Sequence, residues 1–356
     1  FFFVHVFVCC LLCTSATSLG TMSQPSQGAI SLRDALESST EQLLDNLKRY
    51  NDTHEDPSEE DVGSLDETVL QRIFCLLRSH VKSETGIFVQ ALQVVLTLAN
   101  AEQALQMLLN HGAVEVLNEL NSMFDEESKQ TDLYYNYLYT MQAFCELEAA
   151  RNKVGKLFLI AFCNSVHEPC PLVSKRSFIG CVNAMLQGSA ENKQLLEKEG
   201  VDLRRFVDTM RKCGDHYLQQ QIVEFLFRVR KIFPEDVSQL FRDNADLDTA
   251  FAEIRGKDGF SESLRSFLFL FNAAQGPAQN VFSLKANEVH IGEEHKQPET
   301  WVNFGAEQAT FEIRSPEESV WFDLDYKQVR NLKLSDKARS NPQAKFRLRN
   351  TPDALW

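Results

Sequence analysis

The sequence predicts an α+β protein: a helical solenoid over residues 30–274, followed directly by a small antiparallel β domain over 281–356. Three patterns carry that prediction. Apolar residues recur at i, i+3, i+4 and i+7 along nearly all of the first part, the stripe of an amphipathic helix. A second period of roughly 40–47 residues runs above the helical one. After "AAQGPAQN" (273–280) the pattern switches to period two, as half-buried strands require.

The helical stripes can be read one by one. "IFVQALQVVLTLA" puts Ile87, Ala91, Val94, Val95 and Leu98 on one face. "QIVEFLFRVRKIF" does the same with Ile222, Phe225, Leu226 and Val229, and "ESLRSFLFLF" with Leu264, Phe267, Leu268 and Phe271. Ser64-Leu65-Asp66-Glu67 reads as a capping box opening the helix "LDETVLQRIFCLL". The long period is marked by Gly63, Gly112, Gly155, Gly200 and Asn244. Glycine and asparagine tolerate the left-handed conformation in which a chain turns sharply between helices. This spacing is that of armadillo and HEAT repeats. An irregular helical domain with glycines at its helix ends is the alternative.

In the β domain, "VFSLKA" alternates Phe282, Leu284 and Ala286 toward the core. "ATFEIRS" does so with Phe311 and Ile313, and "VWFDLD" with Phe322 and Leu324. "RNLKLSD" alternates Leu332 and Leu334, and "AKFRLRN" Phe346 and Leu348. At five to six residues per strand this length holds about six strands. A complete and a truncated sheet both stay open at "TPDALW".

Composition excludes some functions. A formal net charge of −14 argues against a protein that simply coats nucleic acid. Past residue 13 no apolar run approaches the ~20 residues of a membrane helix. The opening "FFFVHVFVCCLLCTSATSLG" lacks an initiating Met and a basic flank before its apolar run. Residues 1–21 are therefore expected to come from translation upstream of Met22, with an incomplete signal sequence as the alternative. The sequon Asn51-Asp52-Thr53 fits secretion, but so short a motif decides little. Cys75, Cys145 and Cys181 sit in apolar helical patterns and are expected to be buried, reduced thiols. Residues 51–67 carry eight carboxylates and no Lys or Arg. They are expected to form a solvated loop, with docking of a basic partner as the other reading.

No catalytic motif is present: no GxSxG, Walker loop, strand-borne GxGxxG or HExxH. The sequence points to no enzyme, no cofactor and no small-molecule substrate. Cys163, His167 and Cys170, with Cys213 or His216, are the best metal candidates, but their spacings suit a Cys-containing loop better than zinc. Tyr134, Tyr135, Tyr137 and Tyr139 crowd one helix, which cannot bury them all. Some must face solvent or a partner, and tyrosine is favoured in interfaces. Finally, residues 327–349 hold eight Lys or Arg against the single acid Asp336. Lys345, Arg347 and Arg349 alternate with Phe346 and Leu348, which either protects an edge strand or faces an anionic partner.

Three stretches are similar to a known family: "GDHYLQQQIVEFLFRV" (214–229), "FSESLRSFLFLFNAAQGPAQNVFSLKANEVHI" (260–291) and "ETWVNFGAEQATFEI" (299–313). They resemble the N-terminal region of the synaptonemal complex protein 2 and 2-like family. The resemblance spans roughly 30–356 and implies an armadillo-like domain followed by a β domain similar to the PH-like middle domain of the histone chaperone FACT. It further implies a nuclear, chromosome-bound scaffold of the meiotic axis, the lateral element, that recruits axis or centromere proteins. Histones or DNA, reached through the basic C-terminal strands, are further candidate partners. A general nuclear adaptor or histone-binding module is the alternative function.

Overall fold

The computed structural model describes residues 30–348 except 55, 82–85, 257–258, 292–294, 315–318 and 338–340, with residues 40, 291–298, 312–321 and 334–348 described by backbone alone. The leader, residues 1–21, lies outside the described residues. The helices are α1 (Leu32–Glu37), α2 (Thr40–Thr53), α3 (Glu59–Ser64), α4 (Glu67–His80), α5 (Ile87–Ala99), α6 (Glu102–Asn110), α7 (Ala113–Met123) and α8 (Asp132–Glu146). There follow α9 (Glu148–Ser165), α10 (Leu172–Leu186), α11 (Ala190–Glu199), α12 (Leu203–Lys212), α13 (His216–Val229), α14 (Pro234–Gln239), α15 (Ala245–Ala252) and α16 (Phe260–Ala273). They form a run of helical repeats, and a small antiparallel four-stranded sheet comes after it in the chain. The described residues divide into two compact units, 30–206 with 224–237 and 207–223 with 238–348.

The long period lies in the helices rather than in the glycines. α2, α5, α8, α10, α13 and α16 begin at residues 40, 87, 132, 172, 216 and 260. We call these the ladder helices. In the first unit α2 packs on α5, α5 on α8 and α8 on α10. Every apolar residue picked from "IFVQALQVVLTLA", "QIVEFLFRVRKIF" and "ESLRSFLFLF" is buried. Of the five markers only Gly112 (φ 86°) and Gly200 (φ 74°) turn the chain in the left-handed region. Gly63 lies inside α3 and Gly155 inside α9. Asn244 has φ −133° and caps α15 by accepting from the Asp246 and Leu247 amides.

Gly155 is needed for another reason. A Cβ there would collide with the carboxamide of Asn192 on α11. Asn192, itself buried, donates to the Met185 carbonyl (2.8 Å) and the Arg151 carbonyl (3.2 Å). Its amide donates to the N-cap hydroxyl of Ser189, which donates to Asn152. The Arg151 guanidinium donates to three carbonyls: Cys145 (3.1 Å), Glu146 (2.6 Å) and Gln187 (2.5 Å). One side chain thus satisfies the open C-termini of α8 and α10, groups that would otherwise lack partners.

Two other expectations for this unit are corrected. Residues 51–67 are not a plain loop: 51–53 complete α2 and 59–64 form α3. Asp61 is buried, accepting from the Leu32 amide (2.9 Å) and the Tyr50 hydroxyl (3.4 Å). Of the three carboxylates of α3, Glu59 and Glu60 stay exposed and Asp61 faces inward, because a helix turns one side to the core. The capping box forms one helix earlier, between Ser58 and Asp61, while α4 is capped by Asp66. Of the three cysteines expected to be buried, Cys145 and Cys181 are, but Cys75 is exposed on the outer face of α4.

In the second unit β1 (Phe282–Ile291), β2 (His295–Phe304), β3 (Gln308–Arg314) and β4 (Ser319–Asp325) form an antiparallel sheet in chain order. β5 (Val329–Lys337) and β6 (Asn341–Leu348) form a separate hairpin sheet. The turn between β2 and β3 rests on the turn before α13. Gly214 (φ 57°) accepts from the Ala306 amide at 2.8 Å, and a Cβ on Gly214 would sit 2.6 Å from the Ala306 Cβ. Gln219 and Asn272 exchange buried carboxamide hydrogen bonds of 2.8 and 2.9 Å. The Arg265 guanidinium lies 5.1 Å over the Trp301 ring.

The β core is Ala309, Phe311, Phe322 and Leu324, with Val289, Val302, Phe304, Tyr326 and Val329 packed on it. Register sets Phe282 beside Phe304 and Leu284 beside Val302, in line with that core. The parity expected for β1 is right, but its burial is not: Phe282 is 52% and Leu284 60% exposed. Both β1 and β4 are edge strands, but the buried cluster lies over β3 and β4 and leaves β1 uncovered. Leu332, also expected inward, is 49% exposed.

Two outcomes follow. Gly155→Ala and Asn192→Ala should each destabilise by about 1–3 kcal/mol in chemical denaturation, the first by overpacking and the second by stranding buried carbonyls. The double variant should lose less than the sum, and strict additivity would separate the two residues. Phe311→Ala should cost about 3–5 kcal/mol, whereas Phe282→Ala should cost at most about 1 kcal/mol. Equal losses would mean that β1 is covered after all.

Candidate functional site

The tyrosine-bearing helix α8 shows how one sequence cluster serves two ends. Tyr134 and Tyr137 are buried. Their rings stack at 5.7 Å, each within 5.4 Å of the Phe124 centroid. The Tyr137 hydroxyl donates to the Leu117 carbonyl at 2.9 Å, and that of Tyr134 to Asn121 at 3.4 Å. Burial pushes both phenols above their ordinary pKa. They are core.

Tyr135 and Tyr139 are half-buried and lie one helical turn apart on the opposite side of α8. Gln142, seven residues after Tyr135, shares their side and is also half-buried. Gln93 on α5, and Arg176 and Ser177 on α10, are half-buried on the adjoining ladder helices, and Val173 on α10 is 43% exposed. Tyrosine, carboxamide and arginine side chains on rigid, packed helices make a surface suited to holding a peptide-like partner: aromatic area with little entropy to lose, and polar groups for backbone amides. The sequence singled out the tyrosines but not Gln142 or Gln93. The i+7 spacing from Tyr135 is the signal that would have found Gln142.

The basic C-terminal strands form the β5–β6 hairpin. Arg330, Asn331, Leu332 and Lys333 are all exposed. Register pairs Lys333 with Lys345 and Asn331 with Arg347. The side chains of Lys345 and Arg347, and the whole of Arg349, lie outside the described residues.

The cysteine and histidine candidates do not assemble: among the described residues no group of His, Cys, Asp and Glu is placed to hold a metal ion. Cys163 is buried in α9, and burial pushes its thiol up to about 12. The His167 ring meets Phe206 edge-on at 4.3 Å. Burial, then the charges of Arg205 and Lys175, lower its pKa to about 4. His216, 2% exposed, has no hydrogen-bond partner on either ring nitrogen. Burial, helped by Arg265, lowers its pKa to about 3. Glu146, beside the Arg151 junction, is raised by burial to about 7, against the lowering effects of Gln142 and Arg151.

His216 makes stability depend on pH. Its folded pKa is depressed, so the unfolded chain takes up a proton below about 6.5 that the folded chain refuses. The stability it contributes is full above that pH and is lost as pH falls toward 3. Between pH 7 and pH 5 the loss should be about 2 kcal/mol. Because Glu146 opposes this loss and His167 adds to it, urea denaturation across the range should show it as the difference in slope between the wild type and His216→Leu. An unchanged slope in the variant would assign the pH dependence elsewhere.

Among curated proteins, none matches the sequence. A solved structure of a synaptonemal complex protein superimposes with a TM-score of 0.62 over 90% of this chain and 88% of that one, at 16% identity. A designed armadillo repeat protein matches 67% of this chain and 97% of its own, with 14% identity and a TM-score of 0.49. The first likeness is one of fold, and it runs through both the helices and the strands. A family profile aligns with residues 38–256, more than half of the chain, and the chain therefore belongs to the family described as a repeat of unknown function (DUF8079).

Proposed function

We propose that this chain is a non-enzymatic scaffold of the meiotic chromosome axis, the synaptonemal complex lateral element, and that it recruits axis or centromere proteins in the nucleus. One observation carries the reading: the fold shared with a synaptonemal complex protein extends over 90% of the chain, helices and β domain together. The resemblance of 260–291 to the synaptonemal complex protein 2 family supports it, since this is where helices give way to strands. The recruiting surface is the outward side of α5, α8 and α10, with Tyr135 and Tyr139 at its centre.

The test is co-precipitation from meiotic extract with the tagged chain. Axis or centromere proteins should be recovered by the wild type. Tyr135→Ala with Tyr139→Ala should cut recovery about tenfold or more, since interface tyrosines commonly contribute more than 1 kcal/mol each. Melting should hardly change, because neither residue is core. Full recovery by the double variant would remove this surface from the account. Recovery of histones in place of axis proteins would favour a general nuclear adaptor.

A further inference from the structure

The β5–β6 hairpin has an unusual charge arrangement. Along a strand, residues alternate between the two faces. With the observed pairing, Asn331, Lys333, Ser335 and Lys337 of β5 share a face with Asn341, Gln343, Lys345 and Arg347 of β6. That face holds four cations, four neutral hydrogen-bonding residues and no acid. Asp336, the one acid of the hairpin, falls on the other face with Leu332, Leu334 and Phe346. Lys333 stands directly opposite Lys345, a like-charge pair that destabilises an antiparallel ladder. Among the described residues, Lys327, Arg330 and Lys333 have no ion-pair partner. Edge protection needs only a few charges, whereas here four of one sign gather on one face.

We propose that this face binds an extended, acidic peptide segment of a partner protein. Carboxylates two residues apart in an extended chain are about 6.6 Å apart, the spacing of Lys345 and Arg347 along β6, and those four apart are about 13 Å apart, the spacing of Lys333 and Lys337 along β5. An anion seated between Lys333 and Lys345 turns their repulsion into two attractions. Asn331, Asn341 and Gln343 can serve the partner's backbone. A nucleic-acid duplex carries the right sign, but its dense charge meets a chain of net charge −14, which a short acidic segment feels far less. Basic histone tails have the wrong sign for this face. The inference goes beyond the axis assignment and uses none of the ladder residues, so either can fail alone.

The experiment is fluorescence anisotropy with the full chain at low salt. Three probes are used: a ten-residue peptide with glutamate at alternate positions, its glutamine analogue, and a fifteen-base-pair duplex. The glutamate peptide should bind and the glutamine analogue should not. Lys333→Glu with Lys345→Glu should weaken binding at least about tenfold, while Lys156→Glu, on the exposed side of α9, should leave it unchanged. Because reversal could disturb the hairpin, Lys333→Gln with Lys345→Gln is measured beside it and should give a smaller loss in the same direction. Unchanged affinity in both variants would overturn the proposal. So would a duplex that binds more tightly than the peptide and loses affinity in the same variants, which would make the face a nucleic-acid surface.

Discussion

The Arg151 guanidinium is the constraint on which the first unit turns. A helix ends with carbonyls that have no partner within it, and a solenoid of short helices multiplies such ends. Arg151 covers carbonyls at the ends of both α8 and α10, while Asn192 fills the space left by Gly155 and ties α11 to the same place. The device recurs with other cations. Lys153 donates to the Leu109 carbonyl at the end of α6, Lys175 to Val166 and Glu168 after α9, and Arg33 to Ser64 at the end of α3. Each cation lies far from its carbonyl in sequence or across a turn, so each contact fixes two elements at once. Because the ends are fixed, the sides of α8 are fixed too. Tyr134 and Tyr137 then have no choice but the core, and Tyr135 and Tyr139 none but the outside.

What could be read from the sequence was whatever local periodicity decides. The apolar stripes of α5, α13 and α16 were legible because a helix sorts its residues by angle alone. The parity of β1 was legible for the same reason, with period two. Phe282 and Leu284 were still misjudged, because parity says which face a residue joins and not whether that face is covered. β4, the other edge, keeps the pattern and the burial, because the covered part of that face lies over β3 and β4 and not over β1. Gly155 was legible as a special position but not for its cause, since a glycine that admits another side chain looks like a glycine that turns the chain. Asp61 was hidden in a run of acids, and only its distant partners Leu32 and Tyr50 distinguish it. In the candidate surface, the tyrosines were legible by type, whereas Gln93 and Gln142 matter only because packing places α5 beside α8.

The titratable groups of the helices are used for packing. Burial keeps the His216 and Cys163 side chains neutral near pH 7. Glu146 is the exception, poised near 7 beside the junction that Arg151 makes. Two outward surfaces differ in chemistry: tyrosine and carboxamide on the ladder helices, cations on the β5–β6 hairpin. Surfaces of different chemistry on one chain suit the proposed scaffold, which has to hold unlike partners without exchanging them.

The proposed axis role is tested most directly by where the protein goes. Immunolocalisation on spread meiotic chromosomes, with the full chain expressed and tagged at its C-terminus, is the measurement. The account predicts continuous staining along chromosome axes, or foci at centromeres, coincident with axis markers. Diffuse nucleoplasmic staining with the fold intact, or recovery of the chain in the secretory pathway, would contradict it.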